Sequence, residues 1–188
     1  MKKILVIILG LITFVSCNNN KNCVIEGTVN NSDLNGKRIF LVPIYHEDSL
    51  GVDSVVIENN KFRFERNQEF LADIRLDFRH RQGTENLLII TEPGTVKVVI
   101  DSISHGGGTP QNDALQSWKE SLKELTEETR KYRAEYTNCI ANGDTLKAVI
   151  FVQNIKIVLD QHNKRTKQLT EKLKSGTLYD FLIQRLKD

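Results

Sequence analysis

The chain has 188 residues, with 26 Lys+Arg against 24 Asp+Glu and a formal net charge of +2. That near-balance argues against a nucleic-acid binder, which usually carries a basic excess, and the length suits one domain or two small ones. The small excess sits at the amino terminus: removing residues 1–16 takes away Lys2 and Lys3 and no acid, which leaves 172 residues with 24 bases and 24 acids.

Lys2 and Lys3 form a positive start, Ile4 to Val15 an almost unbroken apolar run, and Ser16-Cys17 a small residue before a cysteine. The twelve residues of that run are too few to span a bilayer as a helix, which takes about 20, but they suit a secretory signal. Phe14-Val15-Ser16-Cys17 resembles the lipobox of bacterial lipoprotein precursors, with Phe14 in place of the commoner Leu. The resemblance implies signal cleavage between Ser16 and Cys17 and acylation of Cys17, palmitate included. Several acyl chains anchor a protein stably, at about 0.8 kcal/mol per buried methylene. Asn18-Asn19-Asn20-Lys21-Asn22 completes a polar tether over residues 17–22. At about 3.3 Å per residue it reaches under about 20 Å, so the folded part is expected close to the headgroups. In lipoproteins of gut-type Gram-negative anaerobes, surface export goes with acids just after the cysteine. Lys21 and the lack of an acid here imply the periplasmic face of the outer membrane.

From Cys23 to Asp101 short β-prone runs are split by turn residues. Cys23 to Val29 is the first, and Lys37 to Val42 the second, which Pro43 should end or place at an edge. Asp53 to Ile57 and Lys61 to Glu65 flank Glu58-Asn59-Asn60 and are expected to pair as a hairpin. Phe62 and Phe64 alternate with charges, which gives that strand one buried and one wet face. Ala72 to Phe78, Leu87 to Thr91 and Thr95 to Ile100 follow, the last after a Glu92-Pro93-Gly94 turn. About seven strands at this spacing predict an antiparallel β-sandwich over residues 23–104.

Residues 105–111 read as a glycine-rich joint, with Thr109 or Asn112 able to cap a helix and Pro110 tolerated in its first turn. Leu115, Trp118, Leu122, Leu125, Thr129, Tyr132, Tyr136 and Cys139 then recur at alternating steps of 3 and 4, a heptad seam. Asn142-Gly143-Asp144 interrupts it, and Val152, Ile155, Leu159, His162, Thr166, Leu169 and Leu173 resume the spacing. A short loop between two such helices makes an antiparallel hairpin, each arm about 45 Å long. A short apolar helix from Leu178 to Leu186 completes residues 112–188. The fold class is therefore a mainly β amino-terminal domain followed by an α-helical hairpin, α+β overall.

Gly27-Thr28-Val29, Gly36 to Leu41, Asp53 to Ile57 before Asn60 to Phe64, Glu92 to Val96 and Gly107 to Asn112 occur in a recognisable order. They resemble the domain-of-unknown-function 4369 family, the amino-terminal domain of thioredoxin-like envelope lipoproteins of anaerobic Gram-negative bacteria, from residue 23 to about 185. The resemblance implies a β-sandwich, the glycine step and a helical segment leading to a thioredoxin fold. The chain stops at Asp188, about where that module would begin, and holds no Trp-Cys-x-x-Cys. Redox catalysis is therefore not carried over.

Other candidate chemistry is sparse. His105-Gly106-Gly107-Gly108 would serve as an oxyanion loop only beside a Gly-x-Ser-x-Gly elbow, which the sequence lacks. His46, His80, His105 and His162 have no helical ligand spacing, and His46-Glu47-Asp48 reads as a polar loop. Arg75, Arg79, His80 and Arg81 are an anion-binding candidate or a solvated loop. Cys23 and Cys139 belong to no Cys-x-x-Cys pair and read as buried thiols, a bridge between them being the alternative. The amphipathic hairpin must bury its stripe on the sandwich, on a second copy or on a thioredoxin-like protein. The expectation is a non-catalytic membrane-anchored envelope lipoprotein that binds or scaffolds. It has no catalytic, cofactor or metal residue, and it meets the membrane through Cys17. An accessory to a separate thioredoxin-like oxidoreductase and a hydrolase or transferase are the alternatives.

Overall fold

The computed structural model describes residues 22–45, 51–76 and 87–187. Among these, eight strands build two four-stranded sheets. β1 (Cys23–Val29), β4 (Lys61–Arg66), β7 (Gly94–Ile100) and β8 (His105–Gly107) form one, in the order β4-β1-β7-β8. β2 (Arg38–Pro43), β3 (Asp53–Val56), β5 (Leu71–Arg75) and β6 (Leu87–Ile90) form the other, in the order β3-β2-β5-β6. A 3-10 turn, Ser32–Leu34, bridges β1 to β2.

Alternation in the sequence becomes the two faces of the first sheet. Cys23, Ile25, Gly27 and Val29 turn inward on β1, as do Phe62 and Phe64 on β4. Glu26 and Arg63, cross-strand partners on the wet face, form an ion pair at 3.1 Å. The β5–β6 side of the second sheet is covered on both faces, so β5 and β6 are buried almost throughout rather than alternating. Leu87 and Ile89 of β6 join the inter-sheet core with Ile39, Leu41, Ala72 and Ile74. Ile90 and Leu71 face the other way, into a second core with Leu115, Trp118, Leu178, Phe181 and Leu182.

Three features depart from the expected sandwich. β1 and β7 pair in parallel, Cys23 opposite Gly94 through Val29 opposite Ile100, so the first sheet is not wholly antiparallel. The Asn59-Asn60 turn forms with both residues left-handed (φ 51° and 60°), the geometry of a tight hairpin turn. Its strands nevertheless separate after the Glu58–Lys61 bridge, β3 going to β2 and β4 to β1. Ile57 at the corner is fully buried and keeps Lys37 and Gly36 as backbone partners, so inter-sheet burial outweighs hairpin pairing there. Finally, the stretch expected as a joint contributes β8, whose Gly106 lies opposite Val98. A Cβ on Gly107 would stand 2.7 Å from Asp113, so the glycines let the first helix press against this edge.

Helix α1 (Pro110–Ala141) and helix α2 (Thr145–Leu173) form the antiparallel hairpin, and helix α3 (Thr177–Arg185) folds back under it. Gly143, at φ +73°, breaks α1, and the Asp144 carboxylate caps α2 by accepting the Lys147 N–H at 3.0 Å. Ser175-Gly176 follows Lys174, which is itself left-handed at φ 62°. The α1 seam is largely as spaced, with Leu115, Trp118 and Cys139 buried, but Leu122 and Tyr136 are exposed. On α2 the packed line runs through Ala148, Phe151, Ile155, Val158, His162 and Thr166, while Val152 and Leu159 are exposed. One residue turns a helix by 100°, so moving two seam positions by one places them on the flank. Among the described residues no helix is long and apolar enough to cross a membrane.

Candidate functional site

Where the sandwich meets the helices, buried polar groups replace the capping expected from Thr109. Thr109 is the residue before α1 but makes no side-chain cap bond. Glu92 reaches across instead, its Oε1 accepting the N–H groups of Gln111 at 2.7 Å and Asn112 at 3.0 Å. A carboxylate against free N–H groups at a helix start is favourable, since the helix dipole is positive there. Asn112 is buried and clasps the β6 edge: its Oδ1 accepts the Ile90 N–H at 2.9 Å and its Nδ2 donates to the Ile90 carbonyl at 2.8 Å. Glu69 ties in the last helix, accepting from the Gln111 side chain at 2.8 Å and from the Thr177 hydroxyl at 2.8 Å. Burial pushes the Glu69 carboxyl up, but the bonds from Gln111 and Thr177 outweigh it and leave it below its ordinary value.

Beside this junction an open cleft of about 830 Å³ runs between the β7–β8 turn and the three helices. Its apolar lining includes Leu88, Ile103, Trp118, Leu122 and Phe181, with Lys123, Arg130 and Arg185 among its charged residues. The Trp118 and Phe181 rings meet edge-on at 5.4 Å, and the Arg185 guanidinium lies 5.2 Å from the Phe181 centroid. The size is that of a small-ligand pocket, and apolar side chains and charged groups line it together.

One nucleophile–base pair borders it. Ser121 Oγ and His162 Nδ1 stand 3.1 Å apart across the hairpin. Burial, and next the Arg165 charge, hold the imidazole below its ordinary value. A histidine that takes a serine proton becomes cationic and is normally steadied by a carboxylate. Among the described residues no carboxylate bonds to His162, and Arg165 opposes the cation. The pair links α1 to α2 across the seam. Neither residue of it was legible as a pair, because 41 positions separate them and no motif links them.

The other singled-out residues do not converge. Ser16, Cys17, His46, Glu47, Asp48, Arg79, His80 and Arg81 lie outside the described residues. Arg75 pairs with Asp73 at 2.8 Å, and His105 is exposed on β8. Cys23 and Cys139 are both free and buried, at the start of β1 and near the hairpin tip. Burial, and then the Glu92 charge, push the Cys23 thiol up to about 11, which removes it from nucleophilic chemistry near neutrality. Among the described residues no group of three or more His, Cys, Asp and Glu is placed to hold a metal.

Comparison with curated proteins and with solved structures returns no match for the chain. Residues 23–115 match the family described as Domain of unknown function (DUF4369). That stretch holds both sheets, the Glu92–Asn112 junction and the first turn of α1, and it ends at Leu115 rather than near residue 185. Through residues 23–115 the chain belongs to the DUF4369 family.

Proposed function

We propose that this protein is a non-catalytic envelope lipoprotein with a binding or scaffolding role. It is cut after Ser16, acylated at Cys17 and held on the periplasmic face of the outer membrane. The supporting observation is the helical arm. After Trp118 the next buried residue of α1 is Cys139, and α2 packs chiefly on α1 and α3 rather than on a sheet. Two helices of 32 and 29 residues thus project from a small sandwich with their flanks free. Such an arm offers surface, and the Glu92–Asn112–Gln111–Glu69 junction holds its root rigidly enough to present that surface in one direction. The lipobox-like Phe14 to Cys17 supplies the attachment.

The test is the mass and membrane partition of the native protein beside a Cys17→Ser variant. The proposal expects a native amino terminus at an acylated Cys17 and a variant without acyl chains that leaves the lipid fraction at high salt. Native protein that is soluble and keeps residues 1–16 overturns it.

A further inference from the structure

Helix α2 carries apolar residues on two opposite sides. Ala148, Phe151, Ile155 and Val158 form its packed line, with the Phe151 ring 6.3 Å from Tyr132 of α1. On the far side Leu146, Ile150 and Ile157 follow at steps of 4 and 7, which keeps them on one face. Leu146 is 84% exposed, Ile150 54% and Ile157 53%, and Val149 beside them is equally open at 54%. A hairpin helix with nothing further to meet is expected to be polar on its outer face.

Charge narrows what meets it. Lys147, Lys156, Lys164, Arg165, Lys167 and Lys172 stand on α2 with Asp160 and Glu171, a net of +4, of which Arg165 pairs with Glu124 of α1 at 2.9 Å. α1 carries six acids and five bases. The neutral total after residue 16 therefore hides one concentrated basic helix. Two copies laid α2 to α2 would bring +4 against +4. A basic amphipathic helix instead matches an anionic bilayer surface, where aliphatic side chains enter the acyl boundary and lysine stems reach back to phosphate.

Position agrees with this chemistry. The Asn22 carbonyl accepts the Gly94 N–H at 3.1 Å, and a Cβ on Gly94 would lie 3.1 Å from Thr109 at the α1 start. A Cβ on Gly176, just past α2, would lie 2.8 Å from Gln111. Both roots of the hairpin therefore lie near Asn22, which is five positions after Cys17 in the sequence. We infer that the outer face of α2 is a second membrane contact, taking anionic phospholipid and laying the hairpin along the bilayer. The choice of bilayer rests on the anchor proposed above; the chemistry of the face does not.

The experiment is flotation of the chain from residue 17 onward, carrying Cys17→Ser so that neither the apolar segment before it nor an acyl chain contributes, with vesicles of mixed phosphatidylethanolamine and phosphatidylglycerol, beside vesicles of phosphatidylcholine alone. Binding is expected at least about tenfold tighter to the anionic vesicles, given roughly 1 kcal/mol per basic residue at an anionic surface, and is expected to fade at high salt. Ile150→Glu/Ile157→Glu and, separately, Lys156→Gln/Lys164→Gln should each weaken it, with unchanged circular dichroism. Those positions are exposed, so folding is spared. No flotation by a folded Cys17→Ser chain, or flotation indifferent to both pairs, overturns the inference. So does a dimer in sedimentation that the Ile150→Glu/Ile157→Glu pair dissolves, because the face then belongs to a second copy. The mass of the native protein reports on acylation separately, so either reading can fail without the other.

Discussion

The Phe62 ring lies flat over the backbone of Gly27, its cross-strand partner, so closely that a Cβ on Gly27 would stand 1.9 Å from the ring. The ring fills the space a side chain would take, and the glycine lets β1 and β4 close over it.

Gly27→Ala is therefore expected to destabilise the sandwich by about 1–3 kcal/mol, the usual cost of overpacking. Urea unfolding measures it. The double variant Gly27→Ala/Phe62→Leu should lose less than the sum of the two single losses, because the clash needs both partners. Additive losses would count against the explanation.

Asn112→Ala should cost about 2–5 kcal/mol, since it strips partners from two buried backbone groups at Ile90. The Ile90 amide is expected to exchange its hydrogen much faster in the variant. Asn112→Asp should not rescue, because it puts an acceptor against the Ile90 carbonyl and a second carboxylate beside Glu92. Wild-type protection in either variant would show that the clasp is dispensable.

Glu69 gives the last helix an acid-sensitive attachment. Its carboxyl is held below the ordinary 4.5 in the fold, so its stabilisation is complete at and above that value. It is lost as pH falls through the lowered one. Trp118 is the only tryptophan and touches Phe181 of α3, so its fluorescence reports the docking of that helix. The acid change in fluorescence should shrink in Glu69→Gln, and identical titrations of the two proteins would refute the attachment.

His162 works in a higher range. Burial, followed by Arg165, favours the neutral ring, so folding stability should decline as pH drops from the ordinary 6.5 toward the lowered value. Arg165→Gln is expected to raise the imidazole midpoint seen by NMR. A wild-type midpoint at or above 6.5 would contradict the structural account.

Much of the architecture was legible because it follows from spacing. The switch from period 2 to period 3.6 beyond residue 105 and the break at Asn142 to Asp144 are local signals, and both are present; the first helix, read from residue 112, starts at Pro110. Long-range partnership was not legible. Nothing near Asp53 tells it to join β2 rather than β4, and nothing in Thr95 to Ile100 tells it to run parallel to β1. The three residues of β8 are too few and too glycine-rich to read as a strand. The junction was half visible. Asn112 stood out as a capping type, but its amide serves β6, and the cap comes from Glu92, 20 positions upstream. The attachment proposed at Cys17 is carried by the lipobox-like Phe14 to Cys17.

The parallel pairing of β1 and β7 also sets an order of events when the chain folds. Cys23 meets Gly94 only after the 70 residues between them have been gathered in, and loop closure over such a span comes before any contact rewards it. The helices need only their neighbours, and helix formation is complete within microseconds. An arm that assembles early beside a sandwich that closes late leaves the β7 side of β1, with its row of unpaired backbone groups, exposed to other chains in the interval even when β4 already covers the other side. The step most open to misassembly is thus the capture of the first strand, and the protein's yield should depend on how quickly residues 94–100 arrive to take it.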